Sequence, residues 1–310
     1  MIDFRYHLVS LMAVLIALTL GVVLGAGPLQ GPLSSALTGQ VNRLTEQQAT
    51  LNQQLSEAHT AIRNSDAYVN GLAAAVLPGS LKDQKVGLII LPGTETDDVK
   101  AVSDKLAQSG ASVVGQLSLE ADWFTQARES YRKSLVSSIS SYLEAAPGGS
   151  ASTGTIMGAG AVQRLTTPGD KSSALAEILT SKSAPLVTVT KAASEPAKSV
   201  VVIGPRSDKD GSKEQKKESQ GYSDDAVTGL AQSVAKAPEG GVLTGSAEAE
   251  ESLIAKVRAG GVSVATVDSI GQISAAVSTP LALAAAKAGH PGAFGFQTGA
   301  DKPIPDVKAK

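Results

Sequence analysis

The sequence predicts an α/β chain in three parts: an N-terminal transmembrane helix, a long coiled-coil helix, and a Rossmann-like domain built on a mostly parallel sheet. Three observations predict this. Residues 8–26 carry no charge; a heptad repeat of leucine and β-branched residues follows; and short apolar runs then alternate with amphipathic segments as far as residue 290.

From Leu8 to Ala26 the chain has 19 uncharged positions, a helix of about 28 Å that matches the hydrocarbon thickness of a bilayer. A cleaved signal has a shorter apolar core and a more basic start. Here the start is MIDFRYH and the nearest small-residue site runs into Pro28, so the helix is expected to stay as an anchor. Basic residues near a span face the cytoplasm, and Arg5 precedes the span while Arg43 is the next on the far side. Residues 1–7 are therefore expected inside, 8–27 across, and the remainder outside. Ala13, Ala17, Gly21 and Gly25 recur every four residues and line one helix face with small side chains, a face that lets a second helix come close.

Gly27, Pro28, Gly31 and Pro32 interrupt the helix. Residues 33–77 then read as a stalk. With Leu37 at heptad position d, the seam runs Leu37, Val41, Leu44, Gln48, Leu51, Leu55, Ala58, Ile62, Ser65, Val69, Leu72, Val76. Val41, Ile62, Val69 and Val76 at a, with Leu37, Leu44, Leu51 and Leu72 at d, favour a parallel two-stranded coil, which suits two anchors in one membrane. The alternative is one amphipathic helix packing on the following domain. Residues 37–76 would extend about 60 Å as helix, and their e and g positions are mostly Thr, Gln, Asn and Ala, so charge scarcely dictates the partner.

Pro78 and Gly79 end the stalk, and residues 84–290 read as the Rossmann-like domain. "KVGLIIL", "ASVVGQL", "GTIMG", "APLVTVT", "SVVVIGP", "GGVLTGS" and "VSVATV" are expected strands. Helices are expected after Thr96 as N-cap, around Phe124 to Leu143, from Ser223, and around Leu253, Ile254 and Val257. The alternation implies a parallel sheet covered on both faces. "RSDKDGSKEQKKESQG", 206–221, has no apolar residue and reads as a solvated loop, and 291–310 as a flexible tail.

Composition narrows the function. The chain of 310 residues is 42% hydrophobic, enough for one good-sized domain, and its 27 basic and 29 acidic residues are well mixed, so no basic stripe points to nucleic acid. Without cysteine it has no disulfide, thiolate metal site or cysteine nucleophile.

Ligands of parallel sheets bind at the carboxyl ends of the strands. The first such loop, "PGTETDD", lacks a phosphate motif, and its Glu95, Asp97 and Asp98 would repel a phosphate while complementing the helix dipole. "MGAGAV" keeps Gly158 and Gly160 but has Gln163 where a third glycine would stand, so no cofactor is expected. The histidines are His7 at the membrane edge, His59 at an e position and His290 in a helix-end context; no triad assembles from them, and a non-enzymatic protein is expected.

The opening "MIDFRYHLVSLMAVLIALTLGVVLGAGPL" resembles the N-terminus of the actinobacterial MctB/SteB family, and the later Val267, Asp268 and "GHPGAFG" (Gly289 to Gly295) extend that resemblance over essentially the whole chain. It implies an envelope protein of mycolic-acid bacteria. MctB-type members imply copper efflux and an outer-membrane pore; SteB-type members imply cell separation, acting with a membrane partner, SteA, on a peptidoglycan hydrolase. Copper(I) prefers sulfur ligands and copper(II) imidazole, and with Met1, Met12, Met157 and three scattered histidines the sequence assembles no copper site. One spanning helix and buried parallel strands also differ from an outer-membrane barrel. The favoured expectation is a dimeric, single-pass adapter in cell separation that binds SteA through membrane and stalk and offers the coil to a hydrolase or its regulator. Copper transport of the MctB type is the alternative.

Overall fold

The computed structural model describes residues 4–26, 30–206 and 222–306. Apart from Arg206, the expected loop of 206–221 lies outside these residues, as do Pro28 and the last four residues of the tail. The chain forms two compact units, 1–65 and 66–310.

The first unit is helical. Helix α1 (Phe4–Ala26) contains the apolar span, whose 22 residues from Phe4 to Gly25 are long enough to cross a membrane and exposed throughout. The expected interruption at Gly27 and Pro28 lies outside the described residues, and the next described element is helix α2 (Gln30–Val76). Pro32 falls in its first turn, where a missing N–H costs no helical hydrogen bond.

The second unit begins with the last turns of α2 and folds around a seven-stranded sheet of order β3-β2-β1-β4-β5-β6-β7. The strands are β1 (Lys85–Ile90), β2 (Ser112–Leu119), β3 (Val187–Lys191), β4 (Ser199–Ile203), β5 (Gly241–Thr244), β6 (Ala265–Val267) and β7 (Ala293–Phe294). All neighbours pair in parallel except β2 with the edge strand β3, which is antiparallel. Side-chain alternation splits the core in two. Ile89, Val200, Val202 and Leu243 meet α4 (Glu129–Tyr142), α5 (Thr153–Thr166), α6 (Asp170–Leu179), α7 (Asp224–Ala235) and α8 (Leu253–Ala259) on one face. Leu88, Ile90, Val201, Ile203 and Val242 meet α3 (Thr96–Gln108) and α9 (Ile273–Lys287) on the other. Burial on both faces explains why the central strands read as unbroken apolar runs.

Several local expectations change. "GTIMG" is the start of α5, not a strand. Its glycines serve a helix crossing: a Cβ on Gly154 would lie 2.0 Å from the Asp225 carbonyl oxygen, and one on Gly158 would lie 2.9 Å from the Gly229 carbonyl oxygen. Glycines four apart let α5 approach the α7 backbone, and that contact outweighs their poor helix propensity. Glu95, not Thr96, occupies the N-cap position of α3, with no side-chain cap. The helix expected from Phe124 begins at Glu129, because Trp123 and Phe124 turn fully into the core on two short 3-10 turns, Ala121–Trp123 and Gln126–Arg128. The sheet also continues past residue 290: β7 pairs with β6 inside the segment expected as a tail.

Candidate functional site

The order β3-β2-β1-β4 places the topological switch point between β1 and β4, where doubly wound sheets open a ligand crevice. Here an ion pair occupies that position. Arg206, just after β4, donates from Nε to Asp98 Oδ2 (2.7 Å) and from Nη2 to Asp98 Oδ1 (2.9 Å). Asp98 lies on the first turn of α3, so it does more than complement the helix dipole: its side chain is 5% exposed and bound bidentately. This hydrogen bonding holds the Arg206 guanidinium above its ordinary pKa. Gly271, at φ +94°, packs against the guanidinium, and a Cβ there would lie 2.7 Å from Nε. Thr94 Oγ1 donates to the Ile203 carbonyl, tying the β1 loop to β4 (3.0 Å).

A second cluster closes the carboxyl end of β6. Asp268 is fully buried, and its carboxylate accepts from Arg258 Nη1 (3.0 Å), Ser269 Oγ (2.6 Å) and the backbone N–H groups of Phe296 (2.8 Å) and Gln297 (3.2 Å). Arg258 also donates to the carbonyls of Phe294 and Thr298. Gln297 Oε1 accepts from the Ala247 N–H (2.6 Å), so residues 294–298 cover the ends of β5 and β6. The late "VD" and "GHPGAFG" of the sequence meet here. Gly295 sits at φ +132° with its Cβ position 2.0 Å from Asp268 Oδ1, so only glycine fits. Gly289, at φ +81°, ends α9 with the N–H of His290 bonded to the Ala285 carbonyl and its own N–H to that of Ala286, a Schellman closure that explains the helix-end context of His290.

A cleft of about 430 Å³ opens between the 143–148 loop and α5, lined by Thr155, Gln163, Thr166, Ser233 and Lys236 among others. Buried Gln163 braces its rim, accepting from the Glu144 N–H and donating to the Tyr142 carbonyl. Thus Gln163, expected at the third position of a weak glycine loop, is a structural strut inside α5.

The expected partner surfaces are exposed in α1 and in α2 as far as Ile62, but not at Val69. In α1, Ala13, Ala17, Gly21 and Gly25 lie on an exposed helix, and nothing stands within 4 Å of the Cβ positions of Gly21 and Gly25. In α2, Leu37, Val41, Leu44, Leu51, Leu55 and Ile62 are each 55–63% exposed, with Gln48 and Ala58 exposed between them. Further along, Val69 and Val76 are half-buried and join Ala73 and Leu77 in a cluster with Ile273, Val277 and Leu281 of α9, while Leu72 beside them stays 48% exposed.

The sulfur and imidazole donors are scattered. Met157 is buried in the core, Met12 is exposed on α1, and His7, His59 and His290 are exposed on separate elements. Among the described residues no group of three or more His, Asp or Glu side chains is placed to hold a metal ion.

The family model described as "Copper transport outer membrane protein, MctB" matches residues 1–305. The chain is 36% identical over 126 residues to the Copper transporter MctB of Mycobacterium tuberculosis and, equally, to that of Mycobacterium bovis. It is 33% identical over 119 residues to the Copper transporter MctB of Mycobacterium leprae. Each alignment spans 38% of this chain and 38% of the relative. With its apolar N-terminal helix, long second helix and mostly parallel seven-stranded sheet, matched from residue 1 to residue 305, the chain belongs to the MctB family.

Proposed function

We propose that this chain is a single-pass, non-enzymatic component of MctB-type copper transport in the cell envelope, and that it contributes assembly rather than copper ligands. In this reading copper is cargo, held by other components. The N-terminus is cytoplasmic, the sheet domain extracytoplasmic, and two copies associate through the small-residue face of α1 and the seam of α2. The observation that carries the reading is the exposed leucine seam on an anchored member of a copper-transport family. An ion pair at the switch point and a covered strand end at β6 favour a domain that holds partners over one that turns over a nucleotide.

The same seam favours a second reading, the cell-separation adapter that binds a SteA-type partner and a peptidoglycan hydrolase or its regulator. Deleting the chain from its host separates the two. Copper sensitivity with normal daughter-cell separation supports the transport reading; chained cells with unchanged copper tolerance would replace it with the adapter.

A further inference from the structure

One helix, α2, carries one heptad seam, yet its apolar positions meet two different environments. From Leu37 to Ile62 every large seam residue is exposed. From Val69 onward the a-position valines pack within their own chain, against Ile273, Val277 and Leu281 of α9, and Lys105 of α3 donates to Asn70 Oδ1 (2.7 Å). The change falls at Ser65 and Asp66, where the seam offers a small polar residue at d and a half-buried carboxylate at e.

We infer that the seam changes hands there: residues 37–62 pair in parallel with a second copy of this chain, and residues 69–77 are withdrawn from that coil to dock on α9. The inference rests on the dimeric stalk proposed above and sets its extent and occupant. A second copy fits residues 37–62 for three reasons. The flanking e positions are Thr38, Thr45, Asn52 and His59, and the g positions Gln40, Gln47, Gln54 and Ala61, so an identical helix meets no Lys, Arg, Asp or Glu across the seam. The acidic and basic residues of the segment, Arg43, Glu46 and Glu57, occupy the outer c and f positions. Gln48 at a is self-complementary, since its amide both donates and accepts, and a polar residue at a fixes register and two-strandedness. Among the described residues one helix, α1, is long and apolar enough to cross a membrane, and two copies that both cross by it in the same sense would run parallel.

The chain has no cysteine, so single cysteines report without background. Full-length protein in membranes would carry Leu44→Cys, Leu51→Cys or Ile62→Cys in the free seam, Val69→Cys or Val76→Cys in the docked part, or Glu46→Cys on the outer face, and be oxidised with diamide. Disulfide-linked dimers in high yield at 44, 51 and 62, with at least fivefold less at 46, 69 and 76, are the expected result; parallel seam positions bring Cα atoms within disulfide reach. Equal yields at 69 and 76 would overturn the change of partner and leave a continuous dimeric coil standing. No linkage at any seam position would overturn both the change of partner and the dimer, and equal linkage at 46 would overturn the register. Val76→Cys trims the docked contact itself, so a Leu281→Ser variant carrying Ile62→Cys serves as control: linkage at 62 persists when the α9 contact is weakened.

Discussion

The carboxylate of Asp268, with no solvent exposure, stands 3.0 Å from the guanidinium of Arg258 and also receives the N–H groups of Phe296 and Gln297. The pair joins the end of β6 to a segment that arrives some thirty residues later, and it is what holds residues 294–298 across the sheet.

Replacing Asp268 by Ala takes the carboxylate away from Arg258, the Ser269 hydroxyl and two backbone N–H groups, and leaves the guanidinium charge buried with carbonyl partners alone. Breaking one side of a buried pair costs about 3–5 kcal/mol. Urea unfolding of the full-length protein in detergent is expected to show a loss of that size, and a loss under about 1 kcal/mol would contradict the role given to the pair.

Gly154→Ala forces a methyl group into the α5–α7 contact, where the nearest backbone oxygen lies 2.0 Å from the new atom. Overpacking of this kind costs about 1–3 kcal/mol or more. Gly148→Ala, with nothing within 4 Å, is the control and is expected to change the midpoint very little. Comparable melting temperatures for the two variants would contradict the close crossing.

Lys256 supplies a pH-dependent contribution. Burial lowers its pKa, but hydrogen bonds to Asp224 (2.5 Å) and Glu251 (2.8 Å) outweigh that and hold it above its ordinary value of 10.5. A raised pKa in the folded state means stability that is complete below the ordinary value and lost as pH rises through the folded one. Both carboxylates are largely exposed, so Lys256→Met is expected to cost about 1 kcal/mol. The difference from wild type should hold from pH 7 to pH 10 and shrink above pH 10.5. A difference that grows with pH would contradict the assignment.

Arg206→Gln removes the ion pair at the switch point and leaves Asp98 nearly buried without its partner. Because the guanidinium is half exposed, the expected cost is about 1–2 kcal/mol, read as a lower urea midpoint. If the midpoint is unchanged, the pair does not hold the crevice closed.

What the sequence made legible follows from how local each signal is. "SVVVIGP" and "KVGLIIL" declare themselves as strands because both faces are buried, and the apolar run needs no partner to be recognised. "GTIMG" misled for the opposite reason: a short glycine-rich run has a strand's composition, and only the spacing of Gly154 and Gly158 hinted at a helix crossing. Asp268 could be singled out by its place in the "VD" string, but not its partner Arg258, because their meeting depends on the β6 turn. Asp98 and Arg206 are 108 residues apart, and no local pattern announces that contact. The heptad pattern of α2 runs on to Val76 in the sequence, and it takes the fold to show that Val69 and Val76 pack against α9.

In the proposed reading the chain assembles and does not ligate copper. Light scattering on the full-length protein in detergent, with Cu(I) titrated from zero to several equivalents, tests it most directly. A protein mass of two chains that copper leaves unchanged, with no stoichiometric uptake, is the expected result. A single chain that binds copper one to one would contradict it.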